Sequence, residues 1–334
     1  MSPTIVEGHS FARAGLLGNP SDGYFGRTLS VILRDFRATV TLEESSELRI
    51  EPGSDDLDQY RSVDHLVDTV SRQGYYGGAR LLKAALKTFF DYCREGGLTL
   101  PKRNFAARYE SSIPRQVGLG GSSAIVASTL RALMSFYEVV IPVEQQPTLV
   151  LSAELVELGI TAGLQDRVVQ IYEGLVYMDF SRKFMEDFGH GLYEPLDPGL
   201  LPRMFVAHLT GPAKVSGRVL EDIRMRWENG DEEVHGTLSR IGDLAKEGKG
   251  ALLEGNHRLF SSLMNENFDL RRAIMRIGER DLAMVKSARS LGASAKLTGS
   301  GGAIIGVVAD DAMFEELSHR LGDLGARVIE PVSP

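Results

Sequence analysis

The segment Pro114-Arg-Gln-Val-Gly-Leu-Gly-Gly-Ser-Ser-Ala124 concentrates groups that suit an anion. Glycines at 118, 120 and 121 let backbone N–H groups approach a ligand closely, and a helix capped by Ser122 would add the unpaired N–H groups of its first turn. This is the make-up of a phosphate cradle. It is not a Walker A loop, because no GxxxxGK[ST] occurs in the chain. A dinucleotide fingerprint competes with it, since Gly118 and Gly120 form a GxG and Glu138 follows Gly118 by 20 residues. Ser123 in the place of the third glycine, and a loop of roughly eight residues before Gly118, argue against that fingerprint. By itself the segment also fits a capped turn that binds nothing. A second glycine cluster, Lys296-Leu-Thr-Gly-Ser-Gly-Gly302, joins two expected strands, and Gly299, Ser300 and Gly301 could form a nest of backbone donors. Standing alone it reads more simply as a loose hairpin.

Two carboxylates lie between these clusters. Glu154 and Asp166 are 12 residues apart, and Asp166 follows a glycine turn in Thr161-Ala-Gly-Leu-Gln-Asp-Arg167. An acid there can be a first-turn residue favoured by the helix dipole and nothing more. Phosphoryl transfer, however, uses one carboxylate for Mg²⁺ and often another to accept the proton of the attacking hydroxyl, so the pair gains meaning if the loops hold ATP. The third cluster, Arg13-Ala-Gly-Leu-Leu-Gly-Asn-Pro-Ser-Asp-Gly-Tyr-Phe-Gly26, packs Arg, Asn, Ser, Asp and Tyr into a turn with four glycines. That mixture suits a polyhydroxylated ligand.

The elements that must position these groups follow from periodicity. Thr28–Glu43, Leu48–Glu51 and Asn104–Tyr109 read as strands and Ala79–Arg94 as a helix. Helices are expected over Ser122–Tyr137, Thr148–Leu158 and Leu164–Ile171, and a strand over Gly174–Phe180. Gly189–Pro202 is rich in Pro and Gly and is the candidate linker. Beyond it come a strand at Met204–Leu209, helices over Val215–Leu291, and strands at Ser294–Thr298, Ala303–Val308 and Arg327–Pro331. The class is α+β, with an antiparallel sheet and helices on one face in the second half. A length of 334 residues suits two lobes, divided here as 1–195 and 196–334.

Composition narrows the partners. A net charge of -8 opposes the basic footprint of a nucleic-acid binder. The longest uncharged run, Gln116–Leu130, is too short and too Gly/Ser-rich to span a bilayer, and MSPTIVEGHSFARAG lacks the make-up of a signal peptide. With Cys93 as the one cysteine, no intramolecular disulfide is possible, and a reducing cytoplasmic compartment is expected. Cys93 itself lies on an expected buried helix face, the seven histidines show no HExxH spacing, and Trp227 reads as packing.

Taken in order, the polar N-terminal turn, PxxxGLGGSSA and KLTGSGG resemble the three motifs of the GHMP small-molecule kinases. The resemblance extends through RAGLLGNPSDGYFGRT, YYGGARLLKAALKTFF, TAGLQDRVVQIYEGLVYMDF and NFDLRR. It implies an N-terminal α+β lobe, a ferredoxin-like C-terminal lobe and an active site in the cleft between them. It implies that Pro114, Gly118, Leu119, Gly120, Gly121, Ser122, Ser123 and Ala124, with Gly299, Ser300 and Gly301, hold ATP, and that Ser123 and Glu154 hold Mg²⁺. Asp166 is implied as the base and Arg13 as the cation between it and the γ-phosphate, while Asn19, Ser21, Asp22 and Tyr24 would meet the sugar. Asn19-Pro20 replaces the Glu-His more usual in the superfamily, which disfavours galactose and mevalonate as substrates and points to the branch that phosphorylates D-glucuronate at C1. Recognition of its carboxylate falls to an arginine, with Arg271 first and Arg167 next. The alternatives are C1 phosphorylation of another uronic acid or a neutral hexose, and a non-catalytic sugar sensor on the same scaffold. Joint retention of Ser123, Glu154 and Asp166 opposes the sensor. Oligomeric state is left open by the sequence.

Overall fold

A computed structural model describes residues 3–53, 56, 61–64, 67, 77–210 and 217–332. Tyr75, Tyr76 and Val215, which fall in segments singled out above, lie outside the described residues. In chain order the elements are β1 (Ile5–Leu17), a 3₁₀ turn (Ser21–Tyr24), β2 (Arg27–Ser45), β3 (Arg49–Ile50), α1 (Gly78–Glu95), β4 (Asn104–Ser111), α2 (Gly121–Tyr137), α3 (Gln146–Leu155) and α4 (Gln165–Tyr172). They continue with β5 (Leu175–Asp179), α5 (Arg182–Phe188), β6 (Leu192–Leu196), β7 (Met204–Leu209), α6 (Gly217–Glu228), α7 (Glu232–Leu253), α8 (His257–Ile274) and α9 (Glu279–Ser290). The last are β8 (Lys296–Leu297), β9 (Ala303–Val307), α10 (Asp311–Asp323) and β10 (Ala326–Ile329). The class is α+β.

The chain forms two compact units that interleave in sequence. The first comprises the chain up to Ala12, Phe36–Ile113 and Gly121–Ala162. Here the later part of β2 pairs antiparallel with β4, from Ala38 opposite Ser111 to Ser45 opposite Asn104, and β3 runs parallel to β4. Alternation explains the burial: Ala38, Val40 and Leu42 are interior on β2, as Phe105, Ala107 and Tyr109 are on β4. α1 buries Leu81, Leu82, Ala85, Phe89 and Cys93 along one stripe and packs on α2 and α3. α2 is small and apolar on nearly every side, as befits a helix inside its unit. Phe105 and Phe136 meet edge to face at 5.1 Å.

The second unit comprises Arg13–Asp35, Pro114–Gly120 and the chain from Gly163 onward. The early part of β2 pairs antiparallel with β5, Arg27 opposite Asp179, and β5 with β6. A four-stranded antiparallel sheet follows in the order β10-β7-β9-β8. Its strands come from a strand, helices, two strands, a helix and a strand in succession, the ferredoxin-like arrangement. β7 lies second in the order and is buried throughout, while α8 and α9 pack on β8 and β9.

Three local expectations are corrected. Residues 192–196 of the expected linker form β6, whose terminal place in the sheet tolerates Pro195, and Asp197 then caps a 3₁₀ turn by accepting from the Gly199 N–H at 2.9 Å. Residues 13–17, expected in a turn, complete the long strand β1, whose buried glycine and alanine positions blur the period of two. α2 opens at Gly121, and the Ser122 hydroxyl is turned to other use.

Candidate active site

The second unit carries the centre of the site. Asp166 stands in the first turn of α4, and Arg13 reaches it from β1: Arg13 Nη2 donates to Asp166 Oδ2 at 2.5 Å and Nη1 to the Gly118 carbonyl at 2.6 Å. Arg167 Nη1 lies 3.6 Å from the same carboxylate oxygen and also donates to the Gly163 carbonyl at 2.9 Å. Burial raises the Asp166 pKa, but Arg13, then Arg167 and a hydrogen bond from the Gln165 side chain, hold it below the ordinary carboxylate value. Asp22 moves the other way. Its pKa is raised by burial and by the Asp166 charge, against the backbone N–H of Gln165, which donates to Asp22 Oδ2 at 3.2 Å. Two neighbouring carboxylates are thus driven apart in acidity.

Both glycine clusters come to Arg13. Gly118 has a φ of +67°, and a Cβ there would stand 2.8 Å from the Gly301 carbonyl and 3.0 Å from the Ser300 nitrogen. A Cβ on Gly299 would stand 2.5 Å from the Gly118 carbonyl and 2.9 Å from both Arg13 Nη atoms. Thr298 Oγ1 donates to the Gly118 carbonyl at 3.1 Å, and Gly302 N–H to Asp281 Oδ1 at 2.8 Å. The loops Pro114–Gly120 and Thr298–Gly302 therefore form one glycine-lined cradle, with the Arg13 guanidinium against it. Such a cradle fits phosphate oxygens.

The polar turn is held by residues that pattern reading passed over. Asn267 Oδ1 accepts from the Gly18 N–H at 2.8 Å and its Nδ2 donates to the Asn19 carbonyl at 3.2 Å; the Asn19-Pro20 bond is cis. Lys296 Nζ donates to Asn19 Oδ1 at 2.5 Å. The Asn19 side chain and carbonyl are thus engaged within the protein. Ser21 is likewise buried and donates to the Arg27 carbonyl at 3.0 Å. Tyr24 packs on Trp227, with ring centroids 5.5 Å apart, and burial raises its phenol pKa. Arg271 is buried on α8, donates from Nη1 to the Gly299 carbonyl at 2.8 Å, and is lowered by burial to about 10. A signal for Asn267 was present, since it precedes Arg271 by four residues on one helix face. Lys296 opens the glycine cluster, but nothing in its spacing marks it as buried.

The first unit holds the helix that follows the loop. Ser123, Ala124 and Glu154 are fully buried, and Ser122 Oγ donates to Glu154 Oε1 at 2.7 Å. One carboxylate with serine hydroxyls is a set of hard oxygens, suited to an Mg²⁺ ion that keeps waters and takes phosphate oxygens from a nucleotide. Among the described residues no cluster of three His, Cys, Asp or Glu could hold a metal ion. Pro114 and Leu119 shape the loop without offering a polar side chain.

Elsewhere, Cys93 is buried and its thiol pKa is raised by burial, as a packing residue requires. Trp227 stacks on His235 at 5.0 Å. Among the described residues no helix is long and apolar enough to cross a membrane.

Comparison with known proteins bears out the resemblance. The models for the GHMP kinases N terminal domain and the GHMP kinases C terminal domain match residues 80–174 and 249–327. Glucuronokinase 1 of Arabidopsis thaliana is 48% identical over 306 residues, covering 90% of this chain and 84% of that protein. Probable glucuronokinase 2 of the same plant is 47% identical over 335 residues, covering 98% and 91%. The fold is similar to that of Lactococcus lactis galactokinase, solved with galactose, at a TM-score of 0.76 and 16% identity over 98% of this chain and 94% of that one.

Proposed function

This chain belongs to the GHMP kinases, and from that premise we propose that it transfers the γ-phosphoryl group of ATP to the C1 hydroxyl of D-glucuronate, giving D-glucuronate 1-phosphate and ADP. The observation that carries the assignment of roles is the Arg13 guanidinium, which joins the Gly118 carbonyl to the Asp166 carboxylate. A cation at that point neutralises charge gathering on a transferring phosphoryl group, and the carboxylate next to it takes the proton of the attacking hydroxyl. Because Asp166 is kept ionised, it is ready to accept that proton at neutral pH. An anomeric hydroxyl, more acidic than an ordinary alcohol, suits so weak a base.

The glycine loops serve the phosphates, and Ser123 with Glu154 are the proposed ligands of Mg²⁺, which when bound neutralises the phosphate oxygens. Asp22 and Tyr24 are the proposed sugar contacts, and Arg271 or Arg167 the partner of the carboxylate. Asn19 and Ser21 contribute by shaping the turn. The proposal takes 1–195 and 196–334 as the two functional lobes and the cytoplasm as the compartment. An ATP-consumption screen over hexuronic acids, neutral hexoses and mevalonate tests it. Glucuronate is expected to give the highest kcat/KM, and turnover of a neutral hexose with none of glucuronate would overturn it.

A further inference from the structure

Gln170 is fully buried on α4, one helical turn beyond Asp166, and its Nε2 donates to the Gly120 carbonyl at 2.8 Å. The two preceding carbonyls of the loop are fastened as well. The Leu119 carbonyl accepts from the Arg13 N–H at 3.1 Å, and the Gly118 carbonyl from Arg13 Nη1 at 2.6 Å and Thr298 Oγ1 at 3.1 Å. Along an ordinary strand successive carbonyls alternate in direction, but φ values of +67° at Gly118 and +74° at Gly120 let them depart from that alternation. A Cβ on Gly120 would stand 3.0 Å from Gln170 Nε2 and 3.1 Å from Arg13 Cγ, so the loop lies against both side chains at a distance that only glycine permits. A trans peptide sets its N–H opposite its carbonyl. Tying three successive carbonyls to Arg13 and Gln170 therefore turns the N–H groups of Leu119, Gly120 and Gly121 the other way, as donors for a phosphate.

We propose that Gln170 is a positioning residue for the nucleotide: by holding the Gly120 carbonyl it keeps the loop's N–H groups facing the phosphates, and from its place on α4 it fixes the loop at a set distance from the base. This inference rests on the kinase reading above. Arg13 fastens the first two carbonyls and Gln170 the third, while the four residues from Asp166 to Gln170 span about 6 Å of rigid helix. Gln170 acts through the loop, so its loss falls on the nucleotide and spares the proton transfer.

The experiment uses Gln170→Met, which keeps nearly the same length and volume but offers no N–H donor. Calorimetry gives Kd for ADP with Mg²⁺, and steady-state kinetics give KM for each substrate and the pH profile of kcat. Kd for ADP and KM for ATP are expected to rise about tenfold, as for a buried acceptor left without its donor, with KM for glucuronate within about twofold of wild type and the pH profile unmoved. Equal rises in both KM values would mean packing alone and overturn the inference. A loss confined to kcat, or a displaced pH profile, would put Gln170 with the base and overturn it too. If the variant does not fold, wild type decides by NMR of the Gln170 side-chain amide. A phosphate on the Gly121 N–H polarises the peptide it shares with the Gly120 carbonyl, so ADP with Mg²⁺ should move the bonded amide proton downfield. A resonance that ADP leaves in place would overturn the inference. Wild type that neither binds ADP nor consumes ATP defeats the kinase reading beneath it, whereas wild type that does both beside an unaffected Gln170→Met defeats this inference alone.

Discussion

Replacing Asp166 by Asn keeps the shape of the side chain and removes its charge, so the variant isolates what the carboxylate does. Two losses are expected. The amide cannot take the proton of the sugar hydroxyl, which lowers kcat by about 10²- to 10⁴-fold, or ~2.7 to 5.4 kcal/mol of transition-state stabilisation. It also leaves the Arg13 guanidinium buried without its 2.5 Å partner. Breaking a buried pair costs about 3–5 kcal/mol, and the low end applies because Arg13 retains the Gly118 carbonyl and because repulsion between Asp166 and Asp22 is relieved. The pH dependence has a definite sign. Asp166 has a lowered pKa when folded, so its stabilisation is fully present above the unfolded value near 3.8 and is lost as pH falls through the lowered folded value. The stability gap between wild type and variant should therefore close below about pH 4. Steady-state kinetics give kcat and both KM values, and urea unfolding from about pH 3 to 7 gives the gap. An Asn variant that keeps more than about half of wild-type kcat would refute the role of base and leave Asp166 as a first-turn acid.

Gly299→Ala puts a methyl 2.5 Å from the Gly118 carbonyl, a backbone atom that can yield only by parting the two loops, so KM for ATP should rise about tenfold with the KM for sugar little changed. Glu154→Gln should raise the Mg²⁺ concentration needed for half-maximal activity about tenfold at fixed ATP; an unchanged Mg²⁺ requirement would remove Glu154 from the metal site. Asp22 is ionised at a cost, since its folded pKa is raised, so Asp22→Asn should raise Tm by a few degrees at neutral pH while raising KM for glucuronate. A variant with lower Tm and unchanged KM would make Asp22 structural.

What could be read in the sequence was whatever rests on short-range pattern. The β2 alternation, the α1 stripe and the glycine loops are each set by neighbours within a few residues, and the structure places them within one or two residues of expectation. β1 escaped because Ala12, Ala14 and Gly15 give its buried strand no period of two, and β6 because an edge strand may contain a Pro, here Pro195, of the kind that marks a linker. At the site, the Arg13 and Asp166 pair spans 153 positions, and only resemblance to a family linked them beforehand. Lys296 and Gln165 were not legible, and Asn267 showed only through its place one helical turn before Arg271. Each acts through burial and through partners distant in the chain, which a single sequence does not display.

The central claim is that phosphate is delivered to C1 of a sugar acid, and the most direct test is phosphorus NMR of the product formed from ATP, Mg²⁺ and D-glucuronate. The account predicts ADP together with one new phosphomonoester resonance, coupled to the anomeric proton of glucuronate. A phosphate coupled to any other ring proton, or a product formed only when a neutral hexose replaces glucuronate, would contradict it.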